Sequence, residues 1–140
     1  MEKKKISFQG LKGAYSDLAC RKFYHEYETY PCSTFEQTLE AVNKNKAELA
    51  LIPVENNIAG RVADMHVLLQ SLKLRIVAEN YLKIEHNLLI TKDNNLKNIK
   101  YVYSHTHAIS QCKNNLKLLG FNPVNHIDTA GAAKFVSGCK

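Results

Sequence analysis

Glu55, Asn56 and Asn57 stand together directly after the apolar run Leu49–Ile52 and Pro53-Val54, and Gly60 closes the segment. A carboxylate and two amides delivered where a buried strand should leave its sheet can hold, orient or protonate a small polar ligand. Ligand sites of open α/β sheets lie just past the carboxyl ends of strands. Glu55 is therefore the foremost candidate for chemistry, and its competing role is structural: holding loop amides or capping a helix near Gly60. Ser104-His105-Thr106-His107 has the same layout of strand, polar turn and helix, as does the turn from Gln9 through Gly10, Gly13 and Ala14 to Ser16. Asp128-Thr129-Ala130-Gly131 is a weaker fourth case. Free backbone N–H groups at a helix start make an anion site, and Gly10 and Gly13 let the backbone approach a ligand closely. A tidy helix start explains any one of these turns. It explains the set less well, because each carries more polar side chains than capping requires.

Other chemistries fit poorly. His105 and His107, with Cys112 nearby, resemble metal ligands in type, but no further ligand is identifiable and no metal is expected. Ser104 and His105 are adjacent, which does not make a nucleophile–base pair, and the nucleophile-elbow pattern is missing. The glycines of Gly10-Leu11-Lys12-Gly13 match neither a phosphate loop nor a dinucleotide fingerprint. His25, His66, His86 and His126 read as surface or satisfied core residues.

The elements that must position these groups alternate. Lys5–Gly10 reads as a strand, followed by a helix capped by Ser16 or Asp17 and running through Leu18, Ala19, Phe23 and Tyr24. Thr29–Cys32 reads as a short strand, its Pro31 indicating an edge or an end. Ser33 or Thr34 caps a second helix with the stripe Phe35, Leu39 and Val42, and Gln37 completes a capping box. After the Leu49–Val54 strand, Val62–Leu72 has helical spacing. Leu74–Ile84 and Asn87–Ile90 are strand-like, Asp93-Asn94-Asn95 is a turn, and Ile99–Tyr103 is a strand. A helix over Ala108–Leu119 ends at Gly120. Pro123–Ile127 is a short strand, and Asp128 or Thr129 caps a last helix through Ala133, Phe135 and Val136. Such alternation predicts an α/β fold with a mostly parallel sheet. The strand-rich passage Leu74–Ile90 breaks the alternation and reads as a crossover between two lobes, lobe one about 1–78 and lobe two about 79–140, with a cleft between them.

The chain has 140 residues, 45% of them hydrophobic, and a formal net charge of +6. No apolar stretch approaches a membrane span or the core of a signal peptide, so a cytoplasmic protein with no membrane association is expected. Cys20, Cys32, Cys112 and Cys139 are widely spaced and read as reduced thiols. The lysines are scattered and no RNA-binding signature accompanies them, so a nucleic-acid partner is not expected. The charge suits a solvated surface and, second, a mild attraction for a dianionic substrate.

At these residues the sequence resembles the prephenate dehydratases. Pro53-Val54-Glu55-Asn56-Asn57-Ile58-Ala59-Gly60-Arg61-Val62 is similar to the family's Pro-Ile-Glu-Asn-Ser-x-x-Gly-x-Val motif. Gly10–Ser16 resembles its Gly-Pro-Glu-Gly-Thr-Phe-Ser turn. Tyr103–Ala108 with Gln111-Cys112 resembles Tyr-Ser-His-Pro-Gln-Ala followed by Gln-Cys, and Asp128–Ala133 resembles Ser-Thr-Ala-x-Ala-Ala. The resemblance implies a two-lobed fold like that of type II periplasmic binding proteins. It also implies decarboxylative dehydration of prephenate to phenylpyruvate in L-phenylalanine biosynthesis, needing no cofactor. It assigns Glu55, Asn56 and Ser104 to catalysis, and Gly10, Gly13, Ala14, Ser16, Asn57, Gly60, His105, Gln111 and Thr129 to substrate binding. A homodimer or higher assembly is implied for the full-length form. Asn57 and Ala14 stand where serine and threonine are usual, and Thr106-His107 where Pro-Gln is common. The family's Thr-Arg-Phe motif does not occur in the chain. A partial domain with an incomplete second lobe and no ACT domain is therefore expected, as from a truncated coding sequence or a fragment. A non-catalytic small-carboxylate binding module and an arogenate dehydratase are the alternative readings.

Overall fold

The computed structural model describes residues 3–57, 60–61, 67–70 and 73–139. Two compact units divide it, Met1–Lys83 and Ile84–Lys140.

The first unit is built on strand β1 (Lys5–Gln9), which lies between β2 (Glu28–Cys32) and β3 (Leu49–Leu51) in a parallel sheet of order β2-β1-β3. Residues Ile6 and Phe8 share one face by the two-residue period of a strand. They are 1% and 0% exposed and form a core with Cys20 of helix α1 (Tyr15–Phe23), against which Tyr24, Tyr27, Leu49 and Leu51 pack. The opposite face of β1 is buried too. Ser7 is fully buried there, and its hydroxyl donates to the Thr38 carbonyl at 2.7 Å, in helix α2 (Phe35–Asn43). The polar member of an alternating strand is thus enclosed because a helix covers each side, as parallel sheets require. β2 is an edge of this sheet, where Pro31 removes no ladder hydrogen bond that the fold needs.

Local signals and structure agree closely at α2. Thr34 is its N-cap and accepts from the Gln37 N–H, while the Gln37 side chain accepts from the Ser33 N–H at 3.2 Å. The buried face of α2 centres on Thr38, Leu39 and Ala41, one step round from the expected Phe35, Leu39 and Val42 stripe. At α1 the expectation fails. The N-cap is Ala14, with no side-chain cap, and Asp17 lies inside the first turn. Its Oδ2 accepts from the Gly13 N–H at 2.9 Å and pairs with Arg21 at 3.0 Å, so the carboxylate braces the turn from within.

Beyond β3 the chain forms a small antiparallel hairpin, β4 (Glu55–Asn56) and β5 (Gly60–Arg61), with Glu55 opposite Arg61 and Asn56 opposite Gly60. The expected Leu49–Val54 strand stops at Leu51, ahead of Pro53. Of the helix expected over Val62–Leu72, residues 67–70 are helical, and 62–66, 71 and 72 lie outside the described residues.

In the second unit β6 (Tyr101–Ser104) pairs in parallel with β7 (Asn122–Asn125). Helix α3 (Thr106–Leu118) joins them and α4 (Thr129–Ser137) follows, with Ala108, Leu116, Phe121 and Ala132 as the buried apolar residues. A single 3₁₀ turn, Leu96–Asn98, leads in. At the end of α3 the Phe121 N–H donates to the Leu116 carbonyl across Gly120, the closure expected of a glycine-terminated helix. β7 begins one residue earlier and ends two residues sooner than the sequence pattern indicates.

Residues 73–91 adopt neither helix nor strand, which corrects the strands expected over Leu74–Ile84 and Asn87–Ile90. An apolar β-like pattern becomes a strand only when a neighbour completes its ladder, and no described strand does so here. Ile76, Val77 and Tyr81 are consequently 77%, 75% and 82% exposed. The backbone amides of this segment are expected to exchange with solvent far faster than those of β1, as hydrogen-exchange mass spectrometry would resolve. Protection of residues 76–90 equal to that of β1 would contradict the open ladder.

Candidate functional site

Each unit presents polar groups at the carboxyl ends of its parallel strands, and each is taken by itself. In the first unit, β1 ends in the turn Gly10–Ala14. Gly10 (φ 119°) and Gly13 (φ 94°) adopt positive φ that a side chain would strain, and the Gly10 N–H donates to the Cys32 carbonyl at 2.9 Å, closing the turn on the end of β2. Since Ala14 offers no side-chain oxygen, the first-turn N–H groups of α1 have no side-chain cap. They are the donors through which such a turn can receive an anion. Ala14 and Ser16 are half-buried there, and Gly13 is exposed. Asp17 adds a carboxylate to this turn, but one oxygen is engaged by Gly13 and Arg21, and the other is buried with no hydrogen-bond partner among the described residues.

Glu55 reaches solvent from the hairpin, not from a strand-to-helix turn. This corrects the strand-to-helix layout read from sequence, whereas the start of the helix expected near Gly60 lies outside the described residues. Asn56 is half-buried, Asn57 occupies the turn, and Gly60 opens the return strand. Tyr81 and Glu79, which sequence reasoning passed over, belong to the same neighbourhood. The Tyr81 hydroxyl donates to Glu79 at 2.9 Å; this hydrogen bond and the Glu79 charge push the phenol above its ordinary range, and the Glu55 carboxylate adds to the effect. Both lie in a segment that reads as strand, so no local signal marks them.

In the second unit Ser104 ends β6 opposite Asn125 of β7, and the His126 N–H donates to the Ser104 carbonyl at 2.8 Å. The helix starts of α3 and α4 therefore flank one sheet end that carries Ser104, Asn125 and Thr129. Asn125 has no motif to announce it; its position follows only from strand register. His105 caps α3, its Nδ1 accepting from the His107 N–H at 3.3 Å, so this helix begins two residues before the expected Ala108. Gln111, one helical turn on, lies 2.7 Å from His86 Nε2. Asp128, not Thr129, caps α4 by accepting from the Gly131 N–H, and Thr129 is the first helical residue. His126 lies between these elements, its Nδ1 3.3 Å from the Asp128 carbonyl and its ring 6.0 Å from that of Phe135. Asp128→Ala should destabilise the second unit by about 1 kcal/mol through loss of the cap. A urea midpoint followed on that unit would show it, and an unchanged midpoint would mean that the cap contributes nothing.

Among the described residues no group of three or more His, Cys, Asp or Glu side chains could hold a metal ion. The thiols are poor nucleophiles where they are enclosed: burial, aided by the Asp17 charge, pushes Cys20 up to about 12. No helix among the described residues is long and apolar enough to cross a membrane.

The arrangement offers donors for carboxylates at helix starts, hydroxyls at Ser104 and Thr129, amides at Asn56 and Asn57, and one exposed carboxylate at Glu55. The prephenate dehydratase family model matches residues 6–139. The bifunctional N-acyl-homoserine lactone acylase/prephenate dehydratase of Komagataeibacter europaeus is 45% identical over 94% of this chain and 47% of its own length. The chloroplastic arogenate dehydratase/prephenate dehydratase 1 of Arabidopsis thaliana is 40% identical over 96% of this chain and 34% of its own. The crystal structure of prephenate dehydratase from Arthrobacter aurescens in complex with L-Phe superposes with a TM-score of 0.89, at 24% identity, over 97% of this chain and 46% of that one. The chain thus spans half or less of the length of these relatives. Its α/β units with parallel sheets have the fold of those dehydratases, and the chain belongs to the prephenate dehydratase family.

Proposed function

We propose that this chain carries prephenate-binding and catalytic groups of a prephenate dehydratase, a carbon–oxygen lyase forming phenylpyruvate, water and CO₂. The family match over residues 6–139 carries this reading. The reaction expels the ring hydroxyl as water and the ring carboxylate as CO₂, and takes up one proton overall. It needs a proton delivered to the departing oxygen and firm placement of two carboxylates. Glu55, Asn56 and Ser104 are the proposed catalytic groups: Glu55 for proton delivery or orientation, Asn56 and Ser104 for hydrogen bonds to the reacting substituents. Gly10, Gly13 and Ala14 shape the proposed carboxylate turn, their own N–H groups being held by the Cys32 carbonyl, Asp17 and the Leu11 carbonyl, and Ser16 is the proposed donor there. Asn57, Gly60, His105, Gln111 and Thr129 complete the proposed binding set. The two α/β units are proposed as the lobes of a type II periplasmic-binding-protein-like fold, in a cytoplasmic enzyme that pairs in its full-length form.

Phenylpyruvate formation from prephenate, followed by absorbance on this chain, tests the proposal, with arogenate assayed in parallel for phenylalanine. Turnover of prephenate supports the reading, and turnover of arogenate alone replaces the substrate. Saturable prephenate binding without turnover would identify a binding module, and neither binding nor turnover would overturn the assignment. The 45% identity to the bifunctional Komagataeibacter relative favours a second reading, amide hydrolysis of N-acyl-homoserine lactones, which release of homoserine lactone would reveal.

A further inference from the structure

The amino end of the first unit's sheet carries a feature that the dehydratase reading does not use. A cleft of about 370 Å³ opens there, lined by Lys3, Lys4, Lys5, Lys46, Tyr30 and Glu48. It lies at the opposite end of β1 from the Gly10–Ser16 turn, roughly 13 Å away along the strand from Lys5 to Gln9 at the usual rise per residue. Glu48 is already taken: it pairs with Lys4 at 3.1 Å, and the Lys4 ammonium lies 6.0 Å from the Tyr27 ring centroid. Lys3, Lys5 and Lys46 have no carboxylate partner among the described residues. The lining therefore carries four lysines against one glutamate, a net positive charge in one concavity. A compact anion bearing several charges suits such a lining better than a monovalent one.

We propose that this cleft is a second anion site, separate from the candidate catalytic groups, which takes a diphosphate group. Its lining is lysine and not arginine, which suits an anion held by charge more than by bidentate geometry. Its volume lies within the range of small-ligand pockets, and Tyr30 can add a hydroxyl donor. The ligand is either free pyrophosphate or the diphosphate of a nucleotide, and the chemistry recognised is the same.

Calorimetric titration of the chain with pyrophosphate, together with amide shifts by NMR, tests the site. The expected result is saturable binding with a dissociation constant below about 1 mM at low salt. The affinity should fall several-fold when ionic strength rises from about 0.05 to 0.3 M. The shifts should centre on residues 3–5, 30 and 45–48. K46E should weaken binding by about tenfold, since one close charge contributes roughly fivefold and its reversal more. K46M should show the smaller loss, whereas K134E, on the second unit, should change nothing. ADP that reproduces these shifts with tighter binding marks the nucleotide as the source, and pyrophosphate binding more tightly than ADP marks the free anion. Shifts confined to Gly10–Ser16, no saturation by about 10 mM, or an affinity untouched by K46E and K46M would overturn the proposal.

Discussion

Glu55→Gln is expected, on the proposed dehydratase function, to lower phenylpyruvate formation by about 10²–10⁴-fold, the range that a positioned acid–base side chain commonly supplies. The urea midpoint should stay unchanged. Both halves of that expectation follow from the hairpin. Glu55 is exposed, so replacing it with an isosteric amide removes no core packing and leaves no buried group unpaired. What the amide cannot do is deliver a proton or carry a negative charge. Steady-state rates for the two proteins, with prephenate affinity measured separately, distinguish loss of chemistry from loss of binding. A near-normal rate with a normal midpoint would reduce Glu55 to a surface carboxylate opposite Arg61. A midpoint lowered together with the rate would assign it to the hairpin's stability.

Phe8→Ala is expected to cost about 3–5 kcal/mol, the range for deleting a fully buried aromatic side chain. Phe8 is 0% exposed on the central strand and packs with Ile6 and Cys20, so the cavity would open where no surface chain can fill it. Since whole domains hold about 5–15 kcal/mol, this single change should bring the first unit close to its unfolding threshold. The readout is a denaturant titration supported by thiol labelling. Cys20 is enclosed, with its thiol pushed up to about 12, so it remains protonated and shielded near neutral pH while the unit is closed. Labelling of Cys20 should therefore rise sharply in Phe8→Ala, whereas exposed Cys139 labels at a similar rate in both proteins. An unchanged midpoint with Cys20 still protected would mean that the core around β1 repacks without loss.

Features set by neighbouring residues are legible in the sequence itself. The Thr34–Gln37 cap, the Gly120 helix end and Asp128 as one of two named caps for α4 each depend on hydrogen bonds spanning a few residues. The types and spacing of those residues specify them. The polar turns after β1, β6 and β7 are legible for the same reason, and the order of all four polar motifs along the chain carries the family resemblance. Residues 73–91 show the opposite case. Their apolar pattern states a preference for strand, but a strand is completed by a partner that the pattern does not contain. Ser7 reads as the outward member of an alternating strand and is buried, because β2 and β3 place β1 in the middle and α2 covers its second face.

The same division runs through the candidate site. By itself the sequence determined the α/β alternation and the helix starts capped by Thr34 and Asp128, and it named Glu55, Asn56, Ser104 and Thr129 as candidates for chemistry. Only the tertiary structure decided that Glu55 stands in an antiparallel hairpin, that Tyr81 and Glu79 share its surroundings, and that Asn125 lies beside Ser104. Local hydrogen bonding is encoded in adjacent residues. Strand pairing and charge proximity are set by residues far apart in the chain, and only folding brings them together.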